Sequence, residues 1–405
     1  MLMTSWPRFE EDELEAATRV LRSGRVNYWN GEEGRAFERE FAAFHETRFG
    51  VAVANGTVAL ELAFYALGVE QGDEVVVTPR SFLASASSIV VLGARPVFAE
   101  VDRNSGNITP QTVAAALTPR TRAILAVHLA GWPCDLAGLR ALADERGLFL
   151  IEDCAQAHGA HWAGRPVGSW GDAAAFSFCT DKIISTGGEG GMLLTQDEAV
   201  WRRAWSYKDH GKAWHAVYHR QHPPGFRWLH ESFGTNWRLT EMQSAIGRAQ
   251  LRKLPQWLDA RRTNAEALQA RLSRVVGLRV PVPPPDASNA WYKLYAFVQP
   301  DRLAPGWDRD AVVAAVEAEG VPCLHGGCSE IYLEKAFEGT GLRPERRFPI
   351  AKELGETSLM FPVDHTLGVA DMHTIATAVE RVMMRATAST GSVSGGRSFA
   401  AGAQD

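Results

Sequence analysis

A single lysine, Lys182, stands in the stretch FSFCTDKIISTGGEGG, with Gly187, Gly188, Gly190 and Gly191 close behind it. Upstream, Asp153 closes an apolar run in IEDCAQAHGA. A lysine amine that has lost its proton condenses with an aldehyde, and a carboxylate can keep a pyridine nitrogen protonated. Lys182 and Asp153 therefore read as two handles on pyridoxal phosphate (PLP), one on its aldehyde and one on its ring. The glycines allow tight backbone around a bulky ligand. A third segment, Asn55-Gly56-Thr57, lies between a strand and a helix. There the outward N–H groups and the helix dipole favour an anion, and the Thr57 hydroxyl adds a donor.

Each piece alone also has an ordinary reading. Asn-Gly makes tight turns with Thr57 as a cap. Asp153 could cap the residues after it, and most lysines are solvated. Asp181, beside Lys182, opposes loss of the lysine proton unless its side chain points elsewhere. The order of the three segments is far more specific than any one of them.

The elements that must place these groups alternate. Apolar spacing at Leu14, Ala17, Val20 and Leu21 predicts a helix over 9–21, and Phe37, Phe41 and Phe44 mark a second. Strands are expected at 50–53, 74–78, 96–100, 123–127 and 148–152, with helices at 58–67, 82–92, 110–116 and 136–146. Strands at 173–178 and 191–195 flank the lysine loop. Runs such as VVV and FLIE fit strands buried on both faces. The pattern predicts an α/β protein with a mostly parallel sheet flanked by helices. The stretch 206–237, rich in His, Trp, Gly and Pro, reads as a long functional loop. Helices at 239–251 and 255–275 follow, then a proline hinge at 281–285. Beyond it a strand at 292–298 and helices at 309–319 and 369–384 belong to a smaller C-terminal α/β domain. The expected division is an N-terminal helical arm (1–25), a large cofactor domain (26–255), the small domain (256–385) and a disordered Gly/Ser-rich tail (386–405).

The chain has 405 residues, 46% of them hydrophobic, with a net charge of −5, which speaks against nucleic-acid binding. Scattered cysteines (Cys134, Cys154, Cys179, Cys323 and Cys328) suggest reduced thiols in a cytoplasmic protein. Neither a signal-peptide pattern nor an apolar run of about 20 residues is present. His210, His215, His219 and His222 cluster in the long loop, but lack an acidic partner at metal-ligand spacing. Trp214, Trp228 and Trp237 are candidates for stacking on a sugar or base. Cys328 could carry a persulfide or be a buried thiol.

The segments NGTVALELA, GDEVVVTPRSF, PVFAEVD, IEDCAQAHGA, FSFCTDKIISTGGEGG and GTNWRLTEMQSAIGRAQL together make the chain resemble fold type I PLP enzymes of the sugar aminotransferase family, the DegT–StrS group, from about residue 6 to 384. The resemblance implies that Lys182 holds the cofactor and shuttles a proton, while Asp153 pairs with the ring nitrogen. Phe82 would stack on the ring, and Gln156 would lie near its hydroxyl. Thr57, the Val58 N–H and Ser177 would join Asn55 and Gly56 around the phosphate. Asn236 would reach the phosphate of a neighbouring subunit, which implies a homodimer with shared active sites. His210, Arg238 and His325 are the expected substrate contacts. The implied reaction is a ping-pong transfer from an amino acid, expected to be L-glutamate, through pyridoxamine phosphate to a keto sugar, expected to be nucleotide-linked. Departures from the common pattern include Ile183 after the lysine, where Asn is frequent, and Gly-Gly after His325. They leave the substrate open. Keto-cyclitol amination, sugar dehydration and cysteine desulfuration are the alternatives; dehydratase relatives carry histidine in place of the lysine.

Overall fold

The computed structural model describes residues 4–327 and 329–388. Strands β1 (Phe49–Val53), β2 (Glu74–Val77), β3 (Arg95–Phe98), β4 (Thr121–Val127) and β5 (Phe149–Asp153) alternate with helices. A short hairpin, β6 (His161–Trp162) and β7 (Arg165–Pro166), precedes β8 (Ala173–Ser177) and β9 (Gly191–Thr195). Seven of these strands form one sheet in the order β1-β9-β8-β5-β4-β2-β3, in which only β9 runs antiparallel to its neighbours.

Successive residues of a strand face opposite sides, and the two cores divide accordingly. Val76, Ile124 and Leu150 pack with Phe37, Phe41 and Leu139 on one side. Val75, Leu125 and Ile151 pack with Leu60, Phe64 and Ile89 on the other. Burial on both faces explains why these strands read as unbroken apolar runs.

A second sheet joins β10 (Leu278–Arg279), β12 (Leu294–Val298) and β13 (Ser358–Phe361), while β11 (Ala287–Ser288) pairs with β6. The expected helices at 239–251 and 255–275 are one helix, Glu241–Leu272, with Pro255 inside it. Proline removes one backbone bond and crowds the preceding turn. Here its ring is exposed, and Leu254 and Trp257 beside it are buried. The helix lays Leu251 and Leu254 on the large sheet's core, and Ala265, Leu268 and Leu272 on the small one's. The small core thus begins upstream of prolines 281–285.

Other expectations need correction. The stretch 206–237 contains a short helix, Trp214–Tyr218. Leu14 and Leu21 of the first helix are exposed, whereas Ala16 and Val20 pack on Ala245. The last helix, Val369–Thr387, runs past the expected tail boundary, with Ala386 fully buried. Residues 389–405 of the tail, and Cys328, lie outside the described residues. Among those described, no helix is long and apolar enough to cross a membrane.

Candidate active site

β5 and β8 are neighbours and end side by side, Asp153 opposite Ala175. Open α/β sheets bind ligands at these carboxyl ends. A cavity of about 540 Å³ lies there, lined by Asn55, Gly56, Thr57, Val58, Phe82, Asp153, Gln156, Ser177 and Lys182. Every cofactor residue expected from the sequence except Asn236 is therefore in one cleft.

Asp153 is 6% exposed. Its Oδ2 accepts from Ser85 Oγ at 2.8 Å and its Oδ1 from the Ala155 N–H at 3.2 Å. Ser81 Oγ lies 2.7 Å from Ser85 Oγ and extends the chain. Burial raises the Asp153 pKa despite these bonds. Among the described residues it makes no ion pair, the Lys182 charge only partly offsets its burial, and a protonated ring nitrogen would be a direct cationic partner. Its chain neighbour Glu152 faces the opposite way. That carboxylate accepts the N–H groups of Gly168, Trp170 and Gly171 at 2.7–2.9 Å and lies 3.2 Å from His128 Nε2. Because His128 Nδ1 accepts the Cys134 N–H at 3.1 Å, the ring's proton sits on Nε2.

Lys182 enters the cleft from the glycine-rich loop, its side chain 16% exposed. Its backbone is pinned: the Trp6 indole N–H donates to Lys182 O at 2.7 Å. Asp181 does not point away, as its Oδ1 lies 3.4 Å from Lys182 Nζ. The Tyr292 hydroxyl shares it by donating to the other carboxylate oxygen. Burial works to raise the Asp181 pKa, but the Lys182 charge and the Tyr292 bond outweigh it and hold the carboxyl below its ordinary value. Ile183 is fully buried in the core.

At the helix end, Asn55 Oδ1 accepts the Val58 N–H at 3.0 Å. That N–H, expected to face phosphate, is therefore taken up in the cap. The first-turn N–H groups of Gly56 and Thr57, with the Thr57 and Ser177 hydroxyls, remain to hold an anion. A Cβ at Gly56 would stand 2.6 Å from Ser177 Cβ, so only glycine lets the two approach. Phe82, 68% exposed, lines the cleft. Gln156 is oriented by the Ala130 N–H, which donates to its Oε1 at 2.7 Å. These groups fit PLP at its ring nitrogen, ring face, aldehyde and phosphate.

The expected substrate contacts are not cleft-lining residues. Arg238 Nη1 donates to Asp209 Oδ1 at 2.6 Å. Asn236 is exposed, its backbone bridged to Asp209, and His210 is exposed on left-handed backbone. His325 lies 3.3 Å from Asp310 in an exposed pair. Trp214 packs on Trp201 and Trp205, and Trp237 on Tyr207, whereas Trp228 is exposed beside Phe226. Ser85, Ser81, Tyr292 and Trp6 escaped the sequence reading. The i,i+4 spacing of Ser81 and Ser85 before an apolar helix was the one available signal for that pair.

The profile of the DegT/DnrJ/EryC1/StrS aminotransferase family matches residues 7–380. An aminotransferase from Psychrobacter cryohalolentis, known by X-ray structure, is 52% identical and superposes with a TM-score of 0.93 over 95% of this chain and all of its own. The dTDP-3-amino-3,4,6-trideoxy-alpha-D-glucose transaminase of Streptomyces venezuelae is 37% identical over 87% of this chain and 88% of its own length. An L-glutamine:2-deoxy-scyllo-inosose aminotransferase of Streptoalloteichus tenebrarius is 38% identical over 93% of each. The expected fold and enzyme class stand: an α/β, fold type I, PLP-dependent sugar aminotransferase. This chain belongs to the DegT/DnrJ/EryC1/StrS aminotransferase family.

Proposed function

We propose that the protein uses PLP, held in this cleft, to move an amino group from L-glutamate to a nucleotide-linked keto sugar. The observation that carries the reading is that Asp153 and Lys182 open into one cavity that also holds a helix N-terminus. When bound, PLP supplies an aldehyde that takes the amino group and a cationic ring that draws electrons from the reacting carbon. Asp153 keeps the ring nitrogen protonated, and Ser85 keeps Asp153 in place. Lys182 Nζ takes the proton from the donor Cα and returns one in the second half-reaction. Asp181 and Tyr292 fix the amine's position while it is free. Gly56, Thr57 and Ser177 anchor the phosphate, and Phe82 covers the ring.

The active unit in this reading is a homodimer in which Asn236 reaches the partner's cofactor phosphate. Phe226, Trp228 and Phe233, in the segment that carries Asn236, are 77%, 79% and 98% exposed, which favours a covered face in solution. A keto cyclitol is the second reading for the acceptor, favoured by the likeness to the inosose aminotransferase. That relative's name also makes L-glutamine a donor to test.

The experiment is to load purified protein with PLP, convert it with L-glutamate or L-glutamine, and offer nucleotide-activated keto sugars and keto cyclitols. Amination of one of them, detected by mass, is expected. Protein that stays colourless with added PLP would refute the reading.

A further inference from the structure

Apart from the cofactor cleft, a narrow cavity of about 30 Å³ lies between the two larger sheets. Arg80, Gly106, Ala130, Trp291, Lys293 and Tyr295 are among its walls. Arg80, Gly106 and Ala130 follow β2, β3 and β4 of the seven-stranded sheet, while Trp291, Lys293 and Tyr295 belong to β12 and its approach. Exposed Asn104 also lines the space and brings one end of it to the surface.

Two cations meet there without a carboxylate, since none of the lining residues is Asp or Glu. Arg80 is 3% exposed, and its Nε and Nη1 are buried with no hydrogen-bond partner among the described residues. Nε borders the cavity at Gly106, where an added Cβ would stand 3.5 Å from it. Lys293 makes no ion pair among the described residues, and its Nζ lies 5.2 Å from the Tyr292 ring centroid. The acids whose charge reaches these cations are Glu330, Asp364 and Asp181, and each is engaged elsewhere. Glu330 accepts from Arg347 and the Tyr332 hydroxyl, Asp364 from the Thr4 and Thr366 hydroxyls, and Asp181 from Tyr292 beside Lys182. Buried Arg261 adds a third positive charge close to Lys293.

A guanidinium does not escape its charge by losing a proton. Burial lowers the Arg80 pKa only to about 10, so the charge persists at neutral pH. An unpaired buried charged donor is costly, and native interiors rarely keep one. The wall is also strained. Ala130 and Trp291 hold φ of 57° and 51°, in the left-handed region that non-glycine residues seldom adopt. Each is pinned there by a side-chain amide oxygen: Ala130 N–H by Gln156, and Trp291 N–H by Asn289 Oδ1 at 2.7 Å. Strain of this kind persists where the surroundings over-determine it, and it clusters at ligand clamps.

We propose that this cavity is a site for a small inorganic anion of about chloride's size, which Arg80 Nε and Nη1 hold with Lys293 at its side, and which ties the two sheets together. Charge and size both argue for that class. A water needs roughly 10–15 Å³, so the cavity admits a single small ion and is too small for a phosphate or a sugar ring. The inference does not rest on the proposed transamination.

The test uses the full-length protein with PLP added, melted in sodium chloride against sodium gluconate at equal ionic strength. An anion that binds only the folded chain raises the melting temperature in a saturable way, here by about 2–4 °C. Bromide should replace chloride in this effect, and crystals grown in bromide should show an anomalous peak beside Arg80. Arg80→Gln should abolish the difference between the two salts, and Lys293→Gln should require several times more chloride for half the shift. Equal melting of the wild type in both salts would overturn the proposal, even with a bromide peak, which would then mark binding at crystal concentration only. A chloride effect that Arg80→Gln retains, or bromide found only at other places, would also overturn it. Should Arg80→Gln fail to fold, an unchanged chloride response in Lys293→Gln would overturn it instead.

Discussion

The strand-end cleft and the segment from Asp209 to Arg238 are held in opposite ways. In the cleft, the reactive side chains each have a second anchor. Ser81 and Ser85 back Asp153, Tyr292 backs Asp181, and Trp6 holds the Lys182 carbonyl. In the segment, the charged anchors gather at Asp209 and Trp214 packs inward on Trp201 and Trp205, while the tip is left open. Buried Asp209 accepts from Trp29, Lys212 and Arg238, while Phe226, Trp228 and Phe233 are exposed. Chemistry needs positions fixed to a fraction of an ångström. Recognition of a substrate or a second copy can reside on a surface built out from a firm base. On this view, changes in the cleft damage both half-reactions, and changes in the segment damage cofactor retention, assembly or acceptor choice.

The largest expected effect is that of Lys182→Ala, which should reduce turnover to the limit of detection while the protein still folds. Full activity in that variant would break the comparison at its centre. Asp153→Asn should lower kcat about 10²–10³-fold, the scale of losing one preorganised electrostatic partner. A pH effect accompanies it. Burial raises the Asp153 pKa, and a cationic ring would favour the ionised carboxylate. Affinity for PLP should therefore weaken as pH falls through that raised pKa, which lies above the ordinary value of about 3.9. A PLP titration across pH 4–8 should show this slope, and Asp153→Asn should lack it.

Ser85→Ala should cost about tenfold in kcat through a misplaced Asp153, with Ser85→Thr restoring most of it. Equal loss in both variants would mean that Ser85 only packs. Asn236→Ala should weaken PLP retention severalfold without altering the first half-reaction at saturating cofactor. Phe233→Ser has the smallest expected effect on a single subunit's fold, but should shift the assembly toward monomer in gel filtration. An active monomer would remove the shared-site reading.

Much of the site was legible because its reagents sit at ends of elements that local pattern reveals. Asp153 closes an apolar run, Asn55-Gly56-Thr57 opens a helix, and Lys182 precedes a glycine run. The misses have physical causes. Pro255 looked like a helix boundary, since nothing local says that its ring faces solvent. The four-residue strand Ser358–Phe361 is too short to display a period. Leu14 and Leu21 fit a buried stripe by spacing, yet the packing chose Ala16 and Val20.

The sequence by itself determined the alternating strands and helices and most apolar faces, and it singled out the candidate reagents, because periodicity and composition act over a few residues at a time. Only the tertiary structure decided that Asp181 faces Lys182, that the Val58 N–H belongs to Asn55, that Ser85 holds Asp153, and that Arg80 Nε and Nη1 are buried without a hydrogen-bond partner among the described residues. The Ser85–Asp153 bond and the walls around Arg80 join groups far apart along the chain, and the other two relations turn on where one side chain points. Both are settled by how the layers pack rather than by any local pattern.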